Sequence, residues 1–347
     1  MIAGSTQSAP PHIVAPNTVG RVMRAVIYAL LPAIALHIFF FGPGLAIQIL
    51  LATITALAAE AVALRLRGQP LRKYLLDGSA IITAILISMC LPPLAPWWLI
   101  VSGTALAILL AKHLYGGLGS NPFNPAMVGY ALLLVSFPAE LTRWTAPAIA
   151  DLQAHSLSFA ETLYTILVGH LPDRLQWDAI TSPTPLNALR TGLSMGHTMQ
   201  ESVANPIFGA FGGRGWEWIN LAILGGGIWL MFLRIVRWHT PVAMLAGLTI
   251  PAALMYAVDP GMYPGPLFHL SVGATMLGAF FIATDPVSSA TSEQGKLVYG
   301  AGIGLITYVI RTWGGYPDGV AFAVLMMNLA VPLIDRFTIP RVYGHAR

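Results

Sequence analysis

Four short stretches of this 347-residue sequence carry side chains able to do more than pack. The first runs Asp178-Ala179-Ile180-Thr181-Ser182-Pro183-Thr184-Pro185-Leu186 and sets hydroxyls beside a carboxylate. Asx- and ST-type turns, capped by their own side chains, account for such a stretch without any reaction. The second, from Gly278 to Ser292, ends an apolar run at Thr284-Asp285-Pro286 and continues through Ser288, Ser289, Thr291 and Ser292. An acid at that depth is costly unless it caps a helix at the interface or faces a partner or a cavity. The third, Asn121-Pro122-Phe123-Asn124-Pro125-Ala126, offers two amides that either cap a helix or hydrogen-bond the edge of a planar ligand. The fourth, Asp77-Gly78-Ser79, opens a short apolar run. There Asp77 serves as an N-cap, or the free N–H groups of the helix start serve a ligand.

The surroundings of these stretches are set by composition. Charged residues are 9% of the chain and hydrophobic residues 56%, against roughly 25% charged in soluble domains. Too little charge remains to cover a water-facing surface of this size, so lipid must face most of the chain. The formal net charge of +4 comes from short basic clusters between apolar runs. That is the pattern of membrane orientation, not of nucleic-acid binding. The single cysteine, Cys90, lies within an apolar run and reads as a small buried hydrophobe. It can neither form an intrachain disulfide nor hold an iron–sulfur cluster alone. His113, His170 and His197 show no metal-ligand spacing, and Gly225-Gly226-Gly227 reads as helix packing inside an apolar run. No hydrolytic triad and no cleavable signal peptide is evident, so the first apolar run reads as a signal-anchor.

Apolar runs fall near 22–41, 44–66, 78–92, 96–113, 124–138, 218–236, 241–258, 268–283, 297–311 and 317–335. These predict an all-α polytopic membrane protein of about ten transmembrane helices. The run 78–92, bounded by Gly78 and by Pro92-Pro93, would be only about 22 Å long at 1.5 Å per residue. It predicts a broken helix facing a protein-lined cavity, as does 268–283, closed by Asp285-Pro286.

With the N-terminus in the cytoplasm and one crossing per run, most of the 18 Lys and Arg fall inside. These are Arg21, Arg24, Arg65, Arg67, Arg72, Lys73, Lys112, Arg234, Arg237, Lys296, Arg336, Arg341 and Arg347. Outside fall Arg143, Arg174, Arg190, Arg214 and Arg311. This positive-inside bias predicts both termini in the cytoplasm and Asp77, Asn121, Asn124 and Asp285 together on the inner side. The one long connection, 139–217, then lies outside, and a loop of that length is usually functional.

The halves look related. Leu110-Ala111-Lys112-His113-Leu114-Tyr115-Gly116-Gly117 is echoed by Val309-Ile310-Arg311-Thr312-Trp313-Gly314-Gly315. Each is followed by a run to a late proline, Asn124 to Pro138 and Asp318 to Pro332. Five crossings per half make the second copy upside down, and such inverted repeats place a site at their interface. The expected organisation is an N-terminal tail (1–21), a five-helix repeat (22–138), the outer loop (139–217), a second repeat (218–335) and a C-terminal tail (336–347).

Together these residues resemble the family of the D subunit of the Rnf ion-translocating ferredoxin:NAD oxidoreductase and the B subunit of the sodium-pumping NADH:quinone oxidoreductase. The likeness runs from Pro11-His12-Ile13 and Arg21-Val22-Met23, through the four stretches above, to Asn328 and Pro332-Leu333-Ile334-Asp335. The stretch 278–292 is its most specific part. The length fits the D subunit better than the longer B subunit.

The resemblance implies an FMN joined by a phosphoester to a threonine of the outer loop. The family's attachment motif resembles Asp-x-x-Ser/Thr-Gly-Ala-Thr. Asp178 matches its first position, Thr181 its fourth and Thr184 the acceptor, while Ser182 and Pro183 replace the commoner Gly-Ala. Asp178 would assist deprotonation or bind the metal of the flavin transferase that matures the protein. A non-covalent riboflavin is implied within the bundle, placed here near Asn121, Asn124 and Asp285. Asp77 and Asp285 are candidates for coupling redox change to Na⁺ or H⁺ movement. The implied partners are membrane lipid and the other Rnf subunits, A, B, C, E and the flavin-bearing G. The implied location is the bacterial inner membrane with the flavin loop in the periplasm, the chain acting as an electron relay and not catalytic alone. The other reading is a channel or secondary transporter for a small polar solute, which paired broken helices suit equally.

Overall fold

In the computed structural model, residues 18–149, 157–316 and 318–338 are described. Pro11-His12-Ile13 of the family likeness, and Arg341 and Arg347 of the orientation argument, lie outside them. All ten apolar runs are helical. They form α1 (Val19–Phe41), α2 (Gly44–Leu66), the short α3 (Leu71–Leu75), α4 (Ser79–Cys90), α5 (Trp97–Leu106) and α6 (Pro125–Ser136) in the first half. The outer connection holds α7 (Pro138–Leu141), α8 (Phe159–Val168), α9 (Pro185–Ser194) and α10 (Met199–Val203). The second half holds α11 (Trp216–Phe232), α12 (His239–Val258), α13 (Pro266–Ser271), α14 (Thr275–Leu277), α15 (Glu293–Trp313) and α16 (Val320–Thr338).

Four helices, α1, α2, α12 and α16, are long and apolar enough to cross a membrane. The short ones end for identifiable reasons. Gly78, in the left-handed conformation at φ 84°, starts α4. Pro92 and Pro93 follow its end, where no helix can continue. The eighth run is broken between α13 and α14 at Val272–Ala274, and a π-helical turn, Gly278–Ile282, follows α14. A second π-helical stretch, Ala107–His113, extends α5. Such a bulge accommodates one residue more than a regular α-helix. Leu110–Gly117 is one residue longer than its counterpart Val309–Gly315, and the π turn lies in that longer copy.

The two halves pack as counterparts. In the first, α2 lies against α4 and α5; in the second, α12 lies against α13 and α15. Between halves, α1 packs on α11 and α6 on α16. Close approach requires glycine here: a Cβ on Gly226 would sit 2.2 Å from the Ala29 carbonyl oxygen, and one on Gly227 2.3 Å from the Phe280 ring. The core, with Leu30, Ile87, Met127, Leu277 and Ile303, is continuous across both halves.

The outer connection is anchored. Residues 144–146 run antiparallel to 180–182, with Ala146 donating to the Ile180 carbonyl at 2.9 Å and Ser182 to that of Trp144 at 2.9 Å. Leu186 and Leu189 of α9 pack with Phe208, Phe268 and Val272, clamping α9 onto the broken helix. At the start of α8, Arg174 and the capping interactions of Ser158 hold the Glu161 carboxyl down at about 2.

Candidate functional site

Two cavities lie back to back along α4, α6 and α11. The one on the side of α9, the outer cavity in the expected orientation, is about 480 Å³ and is lined by the C-terminal end of α4 (Met89, Cys90), by Met127 and Tyr130 of α6 and by Trp216 to Ile223 of α11. The inner, about 390 Å³, is lined by the opposite ends of the same helices: Ser79 and Thr83, Pro125 and Ala126, and Leu230. Between them runs the π turn, with Phe280 and Phe281 on the inner cavity and Ile282 on the outer.

The outer cavity contains Thr184, half-buried at the N-cap of α9, where its Oγ1 accepts the Asn187 N–H at 3.3 Å. Asn187 and Arg190 line the same space. Thr181 does not: its hydroxyl donates to the Trp177 carbonyl at 2.8 Å. Asp178 is exposed in the turn before it and lines neither cavity. Proximity in sequence therefore does not put these two residues in the cavity that Thr184 enters.

Several polar groups on this cavity have no protein partner among the described residues. His37, 2% exposed in the middle of an apolar helix, has both ring nitrogens unpaired. Asn220 donates its Nδ2 to the carbonyls of Trp216, Ser271 and Gly273 at 3.1–3.3 Å, which fixes its amide and leaves Oδ1 unpaired. Arg190 Nη2 donates to the Gly314 carbonyl, while Nη1 is buried without an acceptor. Buried polar atoms are nearly always hydrogen-bonded. Three such side chains on one cavity are the mark of a site whose ligand or water supplies the missing partners. The aromatic rings of Trp144 and Trp216 complete the wall, 5.0 Å apart.

The inner cavity gathers Asn121, Asn124 and Asp285. Asn124 caps α6, with Oδ1 accepting the Met127 N–H at 3.2 Å, and its Nδ2 reaches the Ile282 carbonyl in the other half at 3.3 Å. Asn121 Nδ2 donates to the Phe123 carbonyl, leaving its Oδ1 buried and unpaired. Asp285 is engaged locally, accepting from the Ser288 hydroxyl at 2.8 Å and the Val287 N–H at 3.3 Å. Asp77 stands one step behind the cavity wall: its Oδ1 accepts the Ser79 N–H at 2.8 Å and the Ser79 hydroxyl at 2.6 Å.

Ser79 leads to a group that sequence reasoning missed. Lys112, 2% exposed, donates to Ser79 Oγ at 2.8 Å and to Glu60 Oε1 at 2.5 Å, with Glu60 1% exposed. His113 Nε2 lies 3.4 Å from the same Glu60 oxygen. A counterpart exists at the opposite end of the bundle. Buried Arg311 donates to Asp318 at 3.1 Å and to the His269 carbonyl at 2.9 Å, and Asp318 Oδ2 accepts the Ala274 N–H at 2.7 Å. Each half thus ties its broken helix down with one buried cation and one carboxylate. Lys112 and Arg311 read from sequence as loop charges, but both are core. The usable signal was Glu60, the one acid in the run 44–66, since an ionisable group in a membrane helix marks a partner or a function.

An all-α membrane protein with two largely apolar cavities, each carrying a few buried polar side chains, meeting at paired broken helices is the class this fold defines. The sequence matches the NQR2, RnfD, RnfE family over residues 6–344, and the chain belongs to that family. It is 50% identical over 342 residues to the D subunit of the ion-translocating oxidoreductase complex of Vibrio cholerae, covering 96% of this chain and 98% of that one. The protein of the same description from Aeromonas hydrophila is 51% identical over 333 residues, covering 94% and 95%. That from Escherichia fergusonii is 48% identical over 335 residues, again covering 94% and 95%.

Proposed function

We propose that this chain is the D-type membrane component of an Rnf ion-translocating oxidoreductase complex, carrying FMN esterified to Thr184. It relays electrons between ferredoxin and NAD, coupled to Na⁺ or H⁺ movement, and does no catalysis alone. The observation that carries the reading is the placement of Thr184. Of the hydroxyls in its stretch, Thr184 alone lines the outer cavity. The names borne by its relatives agree with this reading.

A flavin supplies one- and two-electron redox chemistry when bound, and the protein supplies its binding, orientation and dry surroundings. The residues fit such a group. Thr184 offers the ester oxygen at a helix start, and the outer cavity has unpaired polar atoms set among aromatic rings. A second, non-covalent riboflavin belongs in the inner cavity, where Asn121 and Asn124 present amides. Asp285 is the acid of that cavity, and Asp77 acts on it through Ser79 and Lys112. In this reading the chain sits in the bacterial inner membrane with both termini in the cytoplasm and α9 toward the periplasm. A flavin transferase, the flavin-bearing G subunit and the A, B, C and E subunits are its partners.

The test is in-gel flavin fluorescence of the denatured chain, from cells that flavinylate a control protein, beside Thr184→Ala. Fluorescence in the wild type and none in the variant is the expected result. Darkness in both would sink the covalent flavin and favour a channel or secondary transporter for a small polar solute.

A further inference from the structure

The helix α8 of the outer connection is inside out for a segment that faces water. Phe159, Tyr164, Leu167 and Val168 are 48–61% exposed, Ala160 is exposed beside them and Leu163 is half-buried between them. At about 3.6 residues per turn these side chains share one half of the helix surface. The hydroxyls point the other way. Thr162 and Thr165 are buried together with Ile166. Each hydroxyl is satisfied within the helix, Thr162 donating to the Ser158 carbonyl at 2.9 Å and Thr165 to the Glu161 carbonyl at 2.8 Å. Glu161, the one charged residue of α8, is paired with Arg174. A helix on a water-facing surface does the reverse, with its apolar side turned in and its polar side out.

A contiguous exposed apolar face marks contact with another protein or with a membrane. Its surroundings favour the membrane. α8 packs on α2, which is long and apolar enough to cross a bilayer and carries the exposed Leu50 and Ile54. The apolar face of α8 thus adjoins a helix that already faces lipid. The C-terminal end of α8 also stands at a membrane boundary. Gly169, its C-cap, lines a small recess with Leu94, Ala95 and Pro96, and the next two residues, Trp97 and Trp98, are exposed at the start of α5. Tryptophans so placed mark the level where lipid meets water. Beyond α8 the exposed residues turn polar, with His170, Asp173 and Arg174. Its ten residues make about 15 Å of helix, against about 30 Å of hydrocarbon, so α8 is too short to cross.

We infer that α8 is a membrane-surface helix, with the face formed by Phe159, Leu163, Tyr164, Leu167 and Val168 lying among the phospholipid acyl chains of one leaflet, beside α2. Interfacial helices bury one apolar side in this way without spanning. The inward threonines follow from it: a hydroxyl among acyl chains finds no water, so it is turned to the protein and bonded to its own backbone. The outer connection is then held twice, by α9 on the broken helix and by α8 in the bilayer. This reading is independent of what Thr184 carries.

The experiment puts the photo-reactive residue benzoylphenylalanine at Phe159, Tyr164 or Leu167 of the full chain, one position at a time, in membranes of cells that make its whole complex. The same residue at Leu50 of α2 is the lipid-facing control. All these positions are exposed, so the larger ring displaces no packed neighbour and the melting temperature stays as in the wild type. Three separate positions keep the test valid if one variant does not fold. After irradiation the chain is purified and its mass and gel mobility are read. The expected product at each α8 position is a phospholipid adduct, in a yield within a few-fold of that at Leu50. A cross-link to another protein chain in place of the lipid adduct overturns the inference and makes the face a subunit interface. Neither product, where Leu50 gives its adduct, overturns it as well and leaves α8 clear of the bilayer.

Discussion

The backbone N–H of Asn124 donates to Oδ1 of Asn328 at 3.2 Å, a link between residues 204 positions apart that joins the start of α6 to the middle of α16. Asn328 uses its Nδ2 as fully, donating to the Ser288 carbonyl at 2.9 Å and to the Tyr299 hydroxyl at 2.7 Å. One buried amide thus holds both α6 and the hydroxyl-rich segment after Asp285 around the inner cavity.

Replacing that amide should be costly. Hydrogen bonds between membrane helices average only about 0.6 kcal/mol in double-mutant cycles. Asn328→Leu, however, leaves buried groups with no water to turn to, at about 1–3 kcal/mol each. The expected result is a clear fall in melting temperature in detergent, larger than for Asn121→Leu, whose side chain bonds only to its neighbour Phe123. Equal effects would show that Asn328 is not the tie the geometry describes.

The Glu60–Lys112 pair makes a sharper prediction. Glu60→Gln or Lys112→Met alone strands the other charge in the membrane, which for buried pairs costs about 3–5 kcal/mol. Glu60→Gln combined with Lys112→Met removes both charges and should recover much of that loss. A double-mutant cycle on thermal unfolding measures it, and additive single effects would rule the coupling out.

Thr184 has two roles that substitution can separate. Thr184→Ala removes the N-cap of α9 and should destabilise it by about 1 kcal/mol. Thr184→Asn keeps a capping oxygen but has no hydroxyl. It should melt like the wild type and yet show no flavin band in the gel. Thr181→Val, whose hydroxyl bonds only to the Trp177 carbonyl, should keep the band.

The glycine triplet of α11 should be unequal. Nothing lies within 4 Å of a Cβ built on Gly225, whereas one on Gly226 meets the Ala29 carbonyl. Gly225→Ala should be silent or slightly stabilising, since alanine favours helix. Gly226→Ala should force α1 and α11 apart, at about 1–3 kcal/mol or more. Folded yield and melting temperature report both.

Much of this architecture is legible in the sequence because lipid leaves a simple trace. Each of the ten apolar runs is helical, and Pro92-Pro93 and Asp285-Pro286 announce the short ones. The grouping of Asn121, Asn124 and Asp285 on one cavity follows the loop-charge argument that put them on one side. What escaped was anything that needs two distant residues at once. Lys112 at the end of an apolar run reads as an interfacial charge until Glu60, 52 positions earlier, is seen beside it. Arg311 hides in the same way behind Asp318. His37 was visible as a lone histidine in an apolar run, but its unpaired nitrogens mean something only once Thr184 and Arg190 share their cavity.

The π turn at Gly278–Ile282 has an electrical consequence. Phe281 lines one cavity and Ile282 the other, so consecutive residues of this turn stand between the two. Where polar, polarisable contents reach in from both sides, the transmembrane voltage falls mainly across whatever dry layer remains. With both cavities filled by such contents, a charge carried past those two residues would cross the layer that bears the voltage, at about 2.3 kcal/mol per elementary charge for each 100 mV.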